Sequence, residues 1–237
     1  MRRPLPIFAL AILLGFIWTP SASAQQSVDF YMGGFVRIRW TRADPTTCSS
    51  RTVRSLSTFN SVNGIDVSEL NGFTFGGDYL IGIGRFAEVG GGIGYYQRSI
   101  GTYYTNLVND NGTEIVQELK LRIVPLNATV RLLPLGHRNG FEPYVGAGVG
   151  IFLWRYSETG QFVDLNNNVF NGTFSGSGAE VGPMVLGGVR FPVGPFGIGG
   201  EVRWQDAKAT LPADQGFAGP KIDLGGFNYL FTMTFRF

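Results

Sequence analysis

The segment that most constrains this chain is its last one. Residues 226–237 read GFNYLFTMTFRF. Phe227, Tyr229, Phe231, Met233, Phe235 and Phe237 fall on one face, and Asn228, Leu230, Thr232, Thr234 and Arg236 on the other. Alternation with period two marks a β-strand with one apolar and one mainly polar side. A ladder of five aromatics and a methionine would invite aggregation if water reached it. Lipid can cover such a face, but a strand in lipid must pair both of its edges, and a closed barrel is what allows that.

The other end is consistent with export. Arg2 and Arg3 precede an apolar run from Leu5 to Trp18, and Ala22-Ser23-Ala24 has the A-x-A form of a signal-peptidase site. The run is shorter than the roughly 20 residues of a spanning helix. We therefore expect a signal peptide over 1–24 and one barrel domain over 25–237, with no further domain. No cysteine follows Ala24 directly, which argues against a lipoprotein. Taking Arg2 and Arg3 from the 19 basic residues leaves 17, equal to the 17 acidic ones. A balanced mature chain has no electrostatic footprint for nucleic acid. Cys48 is the single cysteine, so neither an intrachain disulfide nor a cysteine-based metal site is available.

Seven more segments alternate like the last. They cover about 28–40, 72–84, 86–98, 115–133, 141–155, 178–191 and 196–205. In the fourth, Leu119, Leu121 and Ile123 alternate with Glu118, Lys120 and Arg122, but past Pro125 the apolar parity passes to Ala128, Val130 and Leu132. A one-residue phase change at a proline predicts a β-bulge within 124–126. The 35 glycines are scattered through these segments, and with 14% aromatics they suggest sheet positions left small for large neighbours.

The connections alternate in length. Long ones lie at about 41–71, 99–114, 156–177 and 206–225, and short ones at Arg85, 134–140 and 192–195. An even number of strands, each near ten residues, with alternating long and short connections predicts an all-β fold: an eight-stranded antiparallel transmembrane β-barrel. The long connections are then extracellular and the short turns periplasmic. Charges gather on the faces opposite the apolar ones: Arg37, Arg39, Asp78, Glu88, Glu118, Lys120, Arg122, Arg131, Glu142, Glu180, Arg190, Glu201, Arg203 and Arg236. A soluble lipocalin-like barrel would turn its apolar face inward around a ligand, and such a charged interior excludes that cup.

Several stretches resemble the small outer-membrane β-barrel family that includes the OmpA transmembrane domain, OmpX, OmpW and the opacity-type proteins. They are Glu142-Pro143-Tyr144-Val145-Gly146-Ala147-Gly148-Val149-Gly150, Ile123-Val124-Pro125-Leu126-Asn127, Gly200-Glu201-Val202-Arg203-Trp204 and the terminal Phe237. The resemblance covers essentially all of the mature chain and implies a bacterial outer-membrane location in a Gram-negative type of cell envelope. It also implies that Tyr229, Phe231, Phe235 and Phe237 form the signal read by the barrel assembly machinery. Outer-membrane lipid and lipopolysaccharide are the expected surroundings.

Eight strands enclose a space that side chains can fill. A charge network closing the lumen is expected among Arg37, Glu118, Arg122, Glu180, Arg190, Glu201 and Arg203, because a buried charge without a partner is costly. A narrow porin-like channel, or an OmpW-like carrier for small solutes, is the alternative. Enzymatic chemistry finds little material. His137 is the single histidine, it falls in a short turn, and no serine accompanies it and Glu142 there. One imidazole is not a metal site, no cofactor is implied, and a lipid A-modifying enzyme would need its base at the opposite rim. Gly90-Gly91-Gly92 and the Gly146/Gly148/Gly150 series open no helix and lack the Lys-Ser/Thr of a phosphate loop. The long connections carry Arg42, Arg51 and Arg54, and Asn166-Asn167-Asn168 between Phe162 and Phe170. They are where an unknown surface ligand would be met.

Overall fold

A computed structural model describes residues 25–37, 71–109, 111–137, 140–163, 168–211 and 221–237. The expected signal peptide over 1–24, together with Arg39, Arg42, Cys48, Arg51, Arg54, Asn166 and Asn167, lies outside the described residues. Among the described residues the chain forms ten strands and no helix. They are β1 (Gln26–Val36), β2 (Gly72–Ile83), β3 (Ala87–Val108), β4 (Glu114–Leu132), β5 (Glu142–Val163), β6 (Val169–Val193), β7 (Phe196–Gln205), β8 (Lys208–Thr210), β9 (Lys221–Asp223) and β10 (Gly226–Arg236).

Eight of them close into one antiparallel barrel in the order β1-β10-β7-β6-β5-β4-β3-β2. β10, the aromatic ladder, is the closing stave. It pairs with β1 through Phe30↔Met233 and Met32↔Phe231, and with β7 through Tyr229↔Val202 and Met233↔Ile198. Its apolar residues face out, and Phe231 is 50% exposed while Thr234 on the other face is 1% exposed. The neighbouring strands extend the belt with Phe30, Met32, Phe73, Phe75, Ile93, Val130, Val145, Val149, Val185, Phe191 and Ile198, all outward and exposed.

The staves differ in length. β1, β2, β7 and β10 have 10 to 12 residues, whereas β3 to β6 have 19 to 25. A tilted strand crosses a bilayer's hydrocarbon in about 9–11 residues. The surplus of β3 to β6 forms a wall that rises past the belt on the long-connection side. This corrects the expected connections at 99–114 and 156–177, which are largely strand. Pairing continues through Thr102↔Gln117 and through Phe162↔Phe170. The β5–β6 tip is also held by its own aromatics, with Phe162 edge-on to Phe174 at 4.7 Å and tilted against Phe170 at 5.9 Å.

The expected bulge at 124–126 is absent. β4 keeps one register with β5 through Ile123↔Trp154, Val124↔Leu153, Pro125↔Phe152 and Leu126↔Ile151. Burial parity does not slip either: Ile115, Gln117, Leu119, Leu121 and Ile123 are buried above Pro125, and Asn127, Thr129 and Arg131 below it. What changes at Pro125 is the chemistry of the two faces. Below it the barrel is apolar outside and polar inside; above it the outside is polar and the inside apolar. A bulge would have moved the partners by one residue, and they do not move. The register irregularity of β4 lies instead in its pairing with β3, between Tyr103 and Val108 of β3, near the tip.

The upper lumen is a core of soluble type. Phe35, Tyr96, Ile100, Leu119, Leu121, Ile123, Phe152, Trp154, Tyr156 and Met184 line it. The β8–β9 hairpin supplies the rest: Ala207, Ala209, Leu211, Ile222 and Leu224 belong to the same cluster. Gly182 lets the hairpin in, since a Cβ there would lie 1.8 Å from the Asp206 carbonyl oxygen. Asp206 N–H donates to the Pro183 carbonyl at 3.2 Å, and the Arg37 guanidinium donates to the Asp223 carbonyl. The hairpin is therefore a cork tied to two walls of the barrel.

Candidate functional site

Below the cork lies a layer of buried charge. Inward parity on each stave brings Asp29 (β1), Asp78 (β2), Glu88 (β3), Arg131 (β4), Glu142 (β5), Arg190 (β6), Glu201 and Arg203 (β7), and Arg236 (β10) into one network. Every stave contributes at least one member. All but Arg236 are nearly fully buried, and Glu142 has no exposed surface.

Arg131 is the hub. Its Nη1 is 2.7 Å from Asp29 Oδ2, and its Nη2 is 2.7 Å from Asp78 Oδ2 and 3.3 Å from Glu201 Oε2. Arg203 stands beside it, with Nη2 at 2.7 Å from both Asp78 Oδ2 and Glu201 Oε1. Arg190 carries the chain of charges downward: Nη2 is 3.2 Å from Asp29 Oδ2 and Nη1 3.0 Å from Glu88 Oε1. Glu142 accepts from Arg236 and lies 3.7 Å from Arg190 Nη1. Planar guanidiniums suit such sharing because each can address two carboxylates at once.

Two tyrosines complete the packing. The Arg203 guanidinium lies 4.7 Å from the Tyr31 ring centre, and Arg131 and Arg190 lie 5.1 and 5.5 Å from that of Tyr144. Tyr144 also donates its hydroxyl to Glu201 Oε2 at 3.0 Å. Both rings need glycine opposite. A Cβ at Gly76 would be 2.4 Å from the Tyr31 hydroxyl oxygen, and one at Gly188 would be 2.6 Å from that of Tyr144. This is what the expected pairing of small positions with large neighbours does in the lumen.

The structure separates the seven residues of the expected network. Arg190, Glu201 and Arg203 sit in the charged layer. Glu118 and Arg122 do not: both are exposed on the outer face, because the inward parity of upper β4 belongs to Leu119, Leu121 and Ile123. Glu180 is half-buried near the upper rim, opposite Phe152, and no ion pair links it to the layer among the described residues. Arg37 is also at the upper end and serves the cork; its backbone N–H donates to Asn71 Oδ1 at 3.0 Å. The layer also takes in Asp29, Asp78, Glu88, Arg131, Glu142 and Arg236, which lie outside the expected seven although all but Asp29 are among the inward-face charges read from sequence. Their parity was legible. Their level along the barrel was not, and level is what decides who meets whom.

His137 lies at the bottom, in the turn after β4, where its backbone N–H donates to the Arg85 carbonyl at 3.1 Å. Its Nε2 is 3.9 Å from Glu88 Oε1 and its Nδ1 4.0 Å from Glu142 Oε1, beyond hydrogen-bond reach. Among the described residues no cluster of three His, Cys, Asp or Glu side chains is arranged to hold a metal ion.

Above the belt, Tyr156 donates its hydroxyl to Glu158 Oε1 at 2.6 Å inside the upper core. Burial lifts the Glu158 carboxyl above the usual range, against the opposing pull of that hydrogen bond. Burial also holds Tyr156 well above the normal tyrosine value, with the Glu158 charge adding to it. Outside the barrel two concavities flank the belt's upper edge. One, of about 470 Å³, lies under the cork between Trp204, Asp206, Lys208, Asp223 and Phe227. The other, of about 270 Å³, lies on the outer face of the long wall.

Outer-membrane protein OprG from Pseudomonas aeruginosa superposes on 90% of this chain, over 96% of its own length, with TM-score 0.51 and 11% identity. The fold is that of the small eight-stranded outer-membrane β-barrels. The N-terminal barrel domain of P. aeruginosa OprF (TM-score 0.45, 12% identity) is also similar, covering 91% of this chain and 100% of its own. So is Neisserial surface protein A (TM-score 0.43, 14% identity), over 92% and 100%. No protein-family model matches the chain, and no curated protein matches its sequence.

Proposed function

We propose that this chain is a non-enzymatic outer-membrane barrel with a structural or surface-interaction role, its lumen sealed in two layers. In this reading the long wall and cork face outside the cell, the short turns face the periplasm, residues 1–24 direct export, and Tyr229, Phe231, Phe235 and Phe237 are read by the assembly machinery. The observation that carries the reading is the layer in which all eight staves place a charge around Arg131, Arg190 and Arg203. Mutually paired charges at such density pack the lumen and hold the staves together. Planar-bilayer recording tests it: the sealed barrel gives no single-channel steps, and steady conductance from wild-type protein overturns the seal.

A lateral carrier is the second reading, favoured by the 470 Å³ cavity beside the β7–β10 seam, where outward Trp204 and Phe227 meet the base of the cork. That path would bypass the charged layer. Uptake of a small apolar solute into vesicles holding the protein, lost in Trp204→Ala, supports it. Equal uptake by vesicles with and without the protein removes it.

A further inference from the structure

One row above the apolar belt, on the outside of the long wall, several donors converge on one groove. Lys120 and Arg122 of β4, Arg155 and Ser157 of β5 and Gln97 of β3 line the 270 Å³ groove. Arg122 stands directly opposite Arg155 on one side and Gln97 on the other, and Lys120 stands opposite Ser157. The three cations are exposed. Like charges facing each other across an antiparallel pair repel, and none of these three forms an ion pair among the described residues. Glu118, two residues beyond Lys120 on the same face, is the next carboxylate along β4. The Tyr95 hydroxyl donates to Gln97 Oε1 at 2.6 Å, which leaves the amide nitrogen to be offered to a ligand.

The row below is apolar. Val124 pairs with Leu153, and Tyr95 packs against Phe75 at 5.5 Å between ring centres. The groove thus sits where the hydrocarbon of a bilayer gives way to headgroups, with three cations and no carboxylate in its lining. We propose that it binds the phosphate of an outer-leaflet phosphorylated glycolipid, the lipid A type of headgroup. Paired guanidiniums match phosphate oxygens in a fork, and the repulsion between Arg122 and Arg155 is relieved when a dianion lies between them. This rests on the outer-membrane reading with the long wall outward.

The test uses the protein reconstituted in phosphatidylcholine vesicles, alone or with bisphosphorylated lipid A or its dephosphorylated form. Wild-type protein retains bisphosphorylated lipid A through purification, less so as salt rises. Each single Gln substitution weakens retention roughly fivefold, and K120Q/R122Q/R155Q on the order of a hundredfold. In phosphatidylcholine alone the triple variant unfolds at the same or a higher denaturant concentration than wild type, a crossing that a merely structural role would not give. Retention unchanged in the triple variant, or equal for dephosphorylated lipid A, overturns the proposal. So does saturation by inorganic phosphate alone, which would make the ligand a free anion. The membrane reading fails separately, if wild-type protein does not insert into the vesicles at all.

Discussion

Two halves of one barrel run on the same strands with opposite chemistry. Below Pro125, β4 turns Val130 and Leu132 outward and Arg131 inward; above it, Lys120 and Arg122 face out and Leu119 and Leu121 face in. The backbone registers are continuous across the change. A barrel wall is therefore indifferent to which face is greasy. The surroundings decide: lipid outside demands apolar side chains there, and the narrow lumen is then filled by paired charge. Water outside restores the ordinary order, with an apolar core that a cork must complete because the short staves end below it.

The contrast can be broken in several ways. The largest effect is expected from Arg131→Ala, which takes one of two guanidinium partners from each of Asp29, Asp78 and Glu201. It should cost about 3–5 kcal/mol, read as a lowered denaturant midpoint in vesicle-reconstituted protein. Phe152→Ala, in the apolar upper lumen, should cost about 3–5 kcal/mol by leaving a cavity. Its loss should loosen the cork, read as faster proteolysis within 206–225, and leave the charged layer's amide exchange unchanged.

Outward substitutions on β4 separate the halves most cleanly. Val130→Lys puts a charge into the belt and should cost about 2–4 kcal/mol. Glu118→Lys, on the same face of the same strand above Pro125, should stay within about 0.5 kcal/mol. Equal costs at the two positions in reversible unfolding from vesicles would erase the distinction.

The smallest effect is a pH dependence from Glu158. Its carboxyl is raised in the folded protein above the ordinary 4.5, so the folded state holds that proton more tightly than the unfolded one. Its contribution is fully present below about 4.5 and is lost as pH rises through the raised folded value. Glu158→Gln should flatten this part of the profile and slow upper-barrel amide exchange at neutral pH. An unaltered slope in the variant would assign the dependence elsewhere.

Local side-chain alternation is most informative where the surroundings stay constant along a strand. In β10, β1, β2 and β7, which barely exceed the belt, alternation alone placed Phe231, Phe30, Phe75 and Ile198 outward and Thr234, Asp29, Thr74 and Arg203 inward. It failed in upper β4, where a change of hydrophobic phase at Pro125 has two physical origins: an inserted residue or a change of solvent. Period two cannot tell them apart, and an inserted residue would place Glu118 and Arg122 in a lumen they do not enter. The cork was illegible for a related reason, since β8 and β9 have three residues each, too few for any periodicity.

By itself the sequence determined the strand faces within the belt, the closing role of the aromatic ladder and the need for a lipid belt, because side-chain alternation is a local property of extended chain. The tertiary structure alone decided the level at which each inward charge sits, and so the Arg131 network. It also decided that the chemistry inverts without a bulge, and that a hairpin returns to fill the mouth. Those depend on which residues of different strands lie side by side, and register is set by the closed barrel as a whole.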